Sequence, residues 1–178
     1  MSSMNPVVAV AQQMLLGGAV KQNHALEHAT IVMLEKKLDV RLSGVSSAVG
    51  FFIFGEVPTE EILPVAQEAL NVLRTTNPEL AINPRCGTNL AVAGVLTGLS
   101  SLAVARLRRP YGSANNVITA STAALVLARP LGLTVQRYIT TQTPNASMRV
   151  VKVTQMTLFG SPAHFVHTDN PDAAGLFA

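Results

Sequence analysis

Thr88–Ala105, TNLAVAGVLTGLSSLAVA, runs for 18 positions without a charged side chain. That is the threshold length at which an α-helix crosses the hydrocarbon of a bilayer. Gly94 and Gly98 give it a small-xxx-small face suited to close helix packing. Arg106, Arg108 and Arg109 follow at once, and Pro110-Tyr111-Gly112 turns the chain. A second apolar run, Ala114 to about Thr134, is interrupted by Arg129-Pro130. Together the two runs read as a transmembrane helical hairpin with an arginine-rich tip. The positive-inside rule places that tip in the cytoplasm, although Arg85, Arg129, Arg137 and Arg149 pull the other way. The expected location is the cell inner membrane, crossed by two helices; the competing reading is a buried helical hairpin in a soluble domain.

Composition points to a membrane protein or one buried in a complex. Of 178 residues 48% are hydrophobic and only 13% charged, there is no tryptophan, and mean hydropathy is +0.34. A soluble domain carries about twice that charged fraction. The expected partners are the lipid bilayer and other membrane proteins. The net charge of +3 reflects few acids, and no basic run is interleaved with aromatics, which argues against nucleic acid. The single Cys86 cannot form an internal disulfide, so it is either a packed small residue or a functional thiol. The start MSSMNP lacks the basic region of a secretory leader, so insertion is expected through internal segments.

Upstream of the hairpin, Pro6 to Val20 is apolar but broken by Gln12, Gln13, Gly17 and Gly18, as in an interfacial or packed helix. It leads into a helix from Asn23 to about Leu38. Val40 to Val57 is glycine-bounded and aromatic and predicts a β-hairpin, with Phe51 to Phe54 as an alternative membrane-dipping loop. Thr59 is the expected N-cap of an amphipathic helix ending near Thr75 and bent by Pro64. Glu79 to Ile82 is expected to be a short strand. Downstream, Arg149 to Lys152, Met156 to Phe159 and Phe165-Val166 predict a C-terminal hairpin that rejoins the first sheet. His164 and His167 have odd strand spacing, point to opposite faces and are expected at the surface. The tail from Asp169 is expected to be loose.

The expected fold is therefore α+β: a small mixed sheet, a motif helix and an amphipathic helix beside it, and an inserted transmembrane helical hairpin. Its parts are an N-terminal α+β region, 1–87, the membrane hairpin, 88–137, and a C-terminal β-hairpin with its tail, 138–178.

The motif helix carries His24-Ala25-Leu26-Glu27-His28. At i and i+4 the two imidazoles share one helix face, and Glu27 sits on its flank. H-x-x-E-H is the reversed zincin signature, in which the histidines bind zinc and the glutamate takes a proton from the attacking water. A polar stripe on an amphipathic helix gives the same pattern. A second cluster, Asn83-Pro84-Arg85-Cys86-Gly87-Thr88-Asn89, adds the thiol. His24, His28 and Cys86 make a zinc set with the fourth position open. Glu27 is then the proton acceptor, and Arg85 or Thr88 stabilises a developing oxyanion. Glu56 and Glu79 are alternative third ligands.

The segments NHALEHATI and NPRCGTNLA together resemble a family of uncharacterised bacterial membrane proteins, classed as a domain of unknown function. The resemblance covers most of the chain, including GFFIFGEV and RYITT. It extends distantly to predicted metal-dependent membrane enzymes that pair an H-x-x-E-H helix with P-R-C-G-T before a membrane helix. The resemblance implies metal binding at His24 and His28, a carboxylate role for Glu27 and a site function for Arg85-Cys86-Gly87-Thr88. Where those enzymes carry a histidine this chain has Asn83, a weak zinc ligand, which leaves Cys86 as the better third one.

Three functions follow from these readings. The first is a membrane-anchored zinc-dependent hydrolase of amide or peptide bonds, with Glu27 as its distinguishing residue. The second is a non-catalytic membrane accessory or assembly subunit with a structural metal site or none. The third is a module that takes up a lipid or hydrophobic cofactor along Phe51 to Phe54.

Overall fold

A computed structural model of the chain describes residues 17–158 and 160–176. It has two units, Met1–Ile82 with Ile139–Ala178, and Asn83–Tyr138. The predicted N-terminal helix from Pro6 lies mostly outside the described residues, as does Phe159.

In the first unit the proline-free run Gly18–Leu38 forms α1. It ends where Asp39 takes a left-handed conformation (φ 52°) and its N–H bonds the Glu35 carbonyl. The predicted hairpin follows as β1, Ser43–Ser47, and β2, Gly50–Phe54, in antiparallel register with Val45 opposite Phe52. Helix α2 is Thr59–Thr75. Pro58, not Thr59, is its N-cap residue, and no side chain caps it. Pro64 lies in its second turn, and the helix runs on through it. The expected strand at Glu79 to Ile82 is instead a 3₁₀ turn, Pro78–Ala81. Pro78 at its start presets the helical φ, which favours a turn over extended backbone.

After the second unit the chain returns as β3, Arg149–Leu158, and β4, Ser161–Asp169. Strand order is β1-β2-β4-β3, every pairing antiparallel, so the C-terminal hairpin completes the sheet begun before the hairpin of helices. β3 is one continuous strand with a register shift between Val150 and Lys152. A short 3₁₀ segment, Pro171–Leu176, follows β4.

The core lies between the helices and one sheet face: Leu26, Ala29 and Leu34 of α1 meet Ile62, Ala66 and Leu73 of α2 and Phe51, Ile53 and Val166 of the sheet. Each large apolar side chain buried there contributes about 1.5–3 kcal/mol. Alternation along β4 sends Val166 into this core and Phe165 and His167 to the other face, where Phe165 packs on Phe52 and His167. His164 shares the face of Val166 and is buried, contrary to the surface position expected for it. Its Nε2 pairs with the Thr59 hydroxyl at 3.0 Å. Gly50 is required where β2 meets β4. Its φ is 149°, and a Cβ there would stand 2.1 Å from the Val166 carbonyl oxygen.

The second unit is a helical hairpin: α3, Gly87–Ala105, and α4, Ala114–Val135, linked by the arginine-bearing turn. Both helices are long and apolar enough to cross a membrane. No residue of α3 is buried, and Leu90 and Val126 are 78% and 71% exposed. Arg129-Pro130 does not interrupt α4. A proline removes one backbone bond, and the helix continues to Val135 before a π-turn at Gln136–Thr140. Gly94 and Gly98 have nothing within 4 Å of a would-be Cβ, so within this unit their face is not the helix contact. The close approach is at Gly132, where a Cβ would stand 2.3 Å from Asn89 Oδ1.

Candidate functional site

The i, i+4 spacing does what it predicts: the His24 and His28 rings stack edge-on, with centroids 4.3 Å apart. Each ring is oriented by a backbone carbonyl of the same unit. His28 Nδ1 donates to the Ala81 oxygen at 2.6 Å, and His24 Nδ1 to the Thr140 oxygen at 2.9 Å. A carbonyl can only accept, so the proton of each neutral ring is on Nδ1 and Nε2 carries the lone pair. This is the outer-shell arrangement found behind metal-ligating histidines. His28 is buried and His24 half-buried.

Glu27 is buried and turned toward the sheet, where it accepts a short hydrogen bond from the Ser46 hydroxyl. Gly44 makes room for it: a Cβ there would stand 2.7 Å from Glu27 Oε1. Burial pushes the Glu27 carboxyl above its ordinary range, against the opposing pull of His24 and the Ser46 hydrogen bond.

What holds α1 in place is a set of uncharged polar side chains that the motif reading passed over. Asn23 Nδ2 donates to the carbonyls of Ser47 (2.9 Å) and Ala48 (3.1 Å), and its Oδ1 accepts from the Thr168 hydroxyl at 2.8 Å. Gln22 donates to Asp172 at 2.6 Å and accepts from the Asn145 N–H at 2.9 Å. Both residues are fully buried. Their signal in the sequence is the Gln22-Asn23 pair directly before His24. The same contacts tie down the segment around Asp172, which was expected to be loose.

The second cluster lies in the other unit. Cys86 is the N-cap of α3: its Sγ accepts from the Thr88 N–H and is hydrogen-bonded to the Thr88 hydroxyl, both at 3.3 Å. Asn83 Oδ1 accepts from the Arg85 N–H at 2.9 Å, a local turn that commits this side chain to the backbone. Gln136 braces the loop, accepting from the Asn83 N–H at 2.9 Å and donating to Asn89 Oδ1 at 2.8 Å. Arg85 is exposed and lines a groove with Cys86 and Asn89. Of the alternative acids, Glu56 and Glu79 are both exposed. His24, Glu27 and His28 thus belong to one unit and Arg85, Cys86 and Thr88 to the other.

A family described as a domain of unknown function, DUF6391, matches residues 19–153. The chain belongs to this family. The DUF6391 match takes in both the histidine helix and the Cys86 turn. An uncharacterised protein of Picosynechococcus sp. is 34% identical over 167 residues, covering 86% of this chain and 81% of that protein. No solved structure matches.

Proposed function

We propose that this DUF6391 chain is a membrane-anchored zinc-dependent hydrolase of amide or peptide bonds, with His24, His28 and Cys86 as its metal ligands. The observation that carries the reading is the pair of carbonyls, Ala81 and Thr140, that orient both rings through Nδ1, so that Nε2 would be the ligand atom. Cys86 is proposed as the third because it is the single thiol of the chain. Two imidazoles and a thiolate suit zinc and leave its fourth position open. The buried Thr140 hydroxyl, with no hydrogen-bond partner among the described residues, is a donor available to a bound group.

Bound zinc supplies a Lewis acid and an activated water at neutral pH. In that reading Glu27 would be the group that accepts a proton and returns it to a leaving amine, and Arg85 and Thr88 would be the groups that stabilise an oxyanion. The two apolar helices supply the membrane anchor.

The hold of Ser46 and Gly44 on Glu27 favours a second reading, a non-catalytic membrane accessory subunit with a structural metal or none. Elemental analysis of the detergent-purified chain, paired with an assay on a panel of peptide amides, separates the two. The hydrolase reading predicts about one zinc per chain, lost in His28→Ala and kept in Glu27→Gln, with turnover lost in both. Zinc without turnover moves the assignment to the accessory subunit. Absence of metal from the folded wild type overturns the hydrolase reading and leaves an accessory subunit without a metal.

A further inference from the structure

The turn that joins α3 to α4, Arg106-Leu107-Arg108-Arg109-Pro110-Tyr111-Gly112, carries three arginines, and no aspartate or glutamate occurs in the sequence between Glu79 and Asp169. All three arginines are exposed. At a helix C-terminus guanidiniums can cap the last carbonyls. Here the backbone does so: the N–H groups of Arg106 and Leu107 bond the Leu102 and Val104 carbonyls at 3.3 and 3.0 Å. Among the described residues none of the three arginine side chains makes a hydrogen bond or an ion pair.

The turn that presents them is closed and internally bonded. The Tyr111 N–H bonds the Arg108 carbonyl at 3.0 Å, and Asn116 of α4 reaches back to the Tyr111 carbonyl at 2.9 Å. A Cβ at Gly112 would stand 2.1 Å from the Leu107 carbonyl oxygen, so the chain closes there only with glycine. Leu107 and Tyr111 are held outward with the arginines, 54% and 69% exposed.

The depth of this turn selects its partner. α3 has 19 residues, about 28 Å at the helical rise and close to the thickness of the hydrocarbon. Arg106 is the next residue, so the turn emerges among the headgroups. Tyrosine rings favour that boundary, guanidiniums match phosphate oxygens in a planar fork, and basic residues beside a membrane span attract anionic lipids. An acidic protein segment would complement the charge, but the phosphates of the bilayer are the first anions within reach of Arg106, and their acyl boundary also covers Leu107.

We infer that the α3–α4 turn is a docking surface for anionic phospholipid headgroups, with phosphates at Arg106, Arg108 and Arg109 and with Leu107 and Tyr111 at the acyl boundary. The inference rests on the membrane-spanning reading of α3 and α4 proposed above.

The test reconstitutes the full chain into bilayers of mixed phosphatidylglycerol and phosphatidylcholine and counts retained lipids by native mass spectrometry. Wild type is expected to retain phosphatidylglycerol over phosphatidylcholine. Arg108→Gln should lower that excess about fivefold, and the triple variant Arg106→Gln, Arg108→Gln, Arg109→Gln should abolish it. Arg129→Gln makes the same charge change about 22 Å along α4 from its start at the turn, and should leave the excess as in wild type. Equal retention of the two lipids by wild type, an excess that survives the triple variant, or an equal loss in Arg129→Gln overturns the docking surface. Displacement of phosphatidylglycerol by inorganic phosphate also overturns it, in favour of a simple anion site. Alkaline carbonate extraction of each reconstituted chain keeps the two claims apart. A wild type that resists extraction but shows no lipid preference loses only the docking surface, and one that is extracted loses the membrane reading as well.

Discussion

In the sheet-bearing unit polar side chains reach across to other elements: Asn23 of α1 to the β1–β2 turn and Thr168, Thr59 of α2 to His164, Arg74 of α2 to the carbonyls of Asn145 and Met148. In the helical hairpin they mostly turn back on their own helix. Thr97 and Thr122 each donate to the carbonyl four residues earlier, while Ser101 and Ser121, 2.6 Å apart, share one hydrogen bond across the helices and the other hydroxyl proton goes to the carbonyl four residues back. Self-bonding of this kind satisfies a hydroxyl without a neighbour or water, as a helix surrounded by hydrocarbon requires. One unit is specified by side chains that must find one another, the other by composition and length. Substitutions that leave a buried partner unmatched should therefore be costly in the first unit, while the exposed faces of the second tolerate change.

The largest contrast is among glycines. Gly50→Ala drives a Cβ into the Val166 carbonyl and should destabilise the sheet unit by about 3 kcal/mol or more. Its thermal unfolding in detergent, followed by circular dichroism, reads this directly, and an unchanged melt would break the comparison. Asn23→Ala strands the Ser47 and Ala48 carbonyls and the Thr168 hydroxyl, at a cost of about 1–3 kcal/mol in the same melt. Thr59→Val removes the partner of His164 Nε2, whose Nδ1 already lacks one among the described residues, for about 1–2 kcal/mol.

His164 also gives a pH dependence. Burial lowers its pKa below the ordinary 6.5, so the unfolded chain takes up the proton first as pH falls. Stability should be at its plateau above 6.5 and decline below it, with His167, lowered mainly by burial and then by Lys152, adding in the same sense. A melt series across that window should flatten in His164→Gln; equal slopes would show that other groups govern it. The smallest effect is reserved for the hairpin. Gly94→Ala and Gly98→Ala meet open space and should move the melt by no more than about 0.5 kcal/mol.

This contrast also explains what the sequence disclosed. The apolar helices, the α+β class and the β1–β2 hairpin were legible because length, charge and glycine boundaries report them directly. So was the shared face of His24 and His28, which follows from helical period alone. The burial of His164 was not, because alternation gives opposite faces without saying which one the helices cover. Nor was Glu27's turn toward Ser46, a contact between residues 19 positions apart that depends on the space left by Gly44. Thr59 was misread as a cap because local capping chemistry competes with a tertiary partner, here His164, that only the folded chain supplies.

The proposal that His24, His28 and Cys86 are the ligands of one metal is tested most directly by cobalt(II) loading of the purified chain. Thiolate coordination adds a sulfur-to-cobalt charge-transfer absorption in the near ultraviolet that imidazole ligands alone do not give. The account predicts that band in wild type, its absence in Cys86→Ala with residual cobalt still bound, and loss of both band and metal in a His24→Ala, His28→Ala double variant. Cobalt bound by wild type without the sulfur band, or a band that survives removal of both histidines, would contradict it.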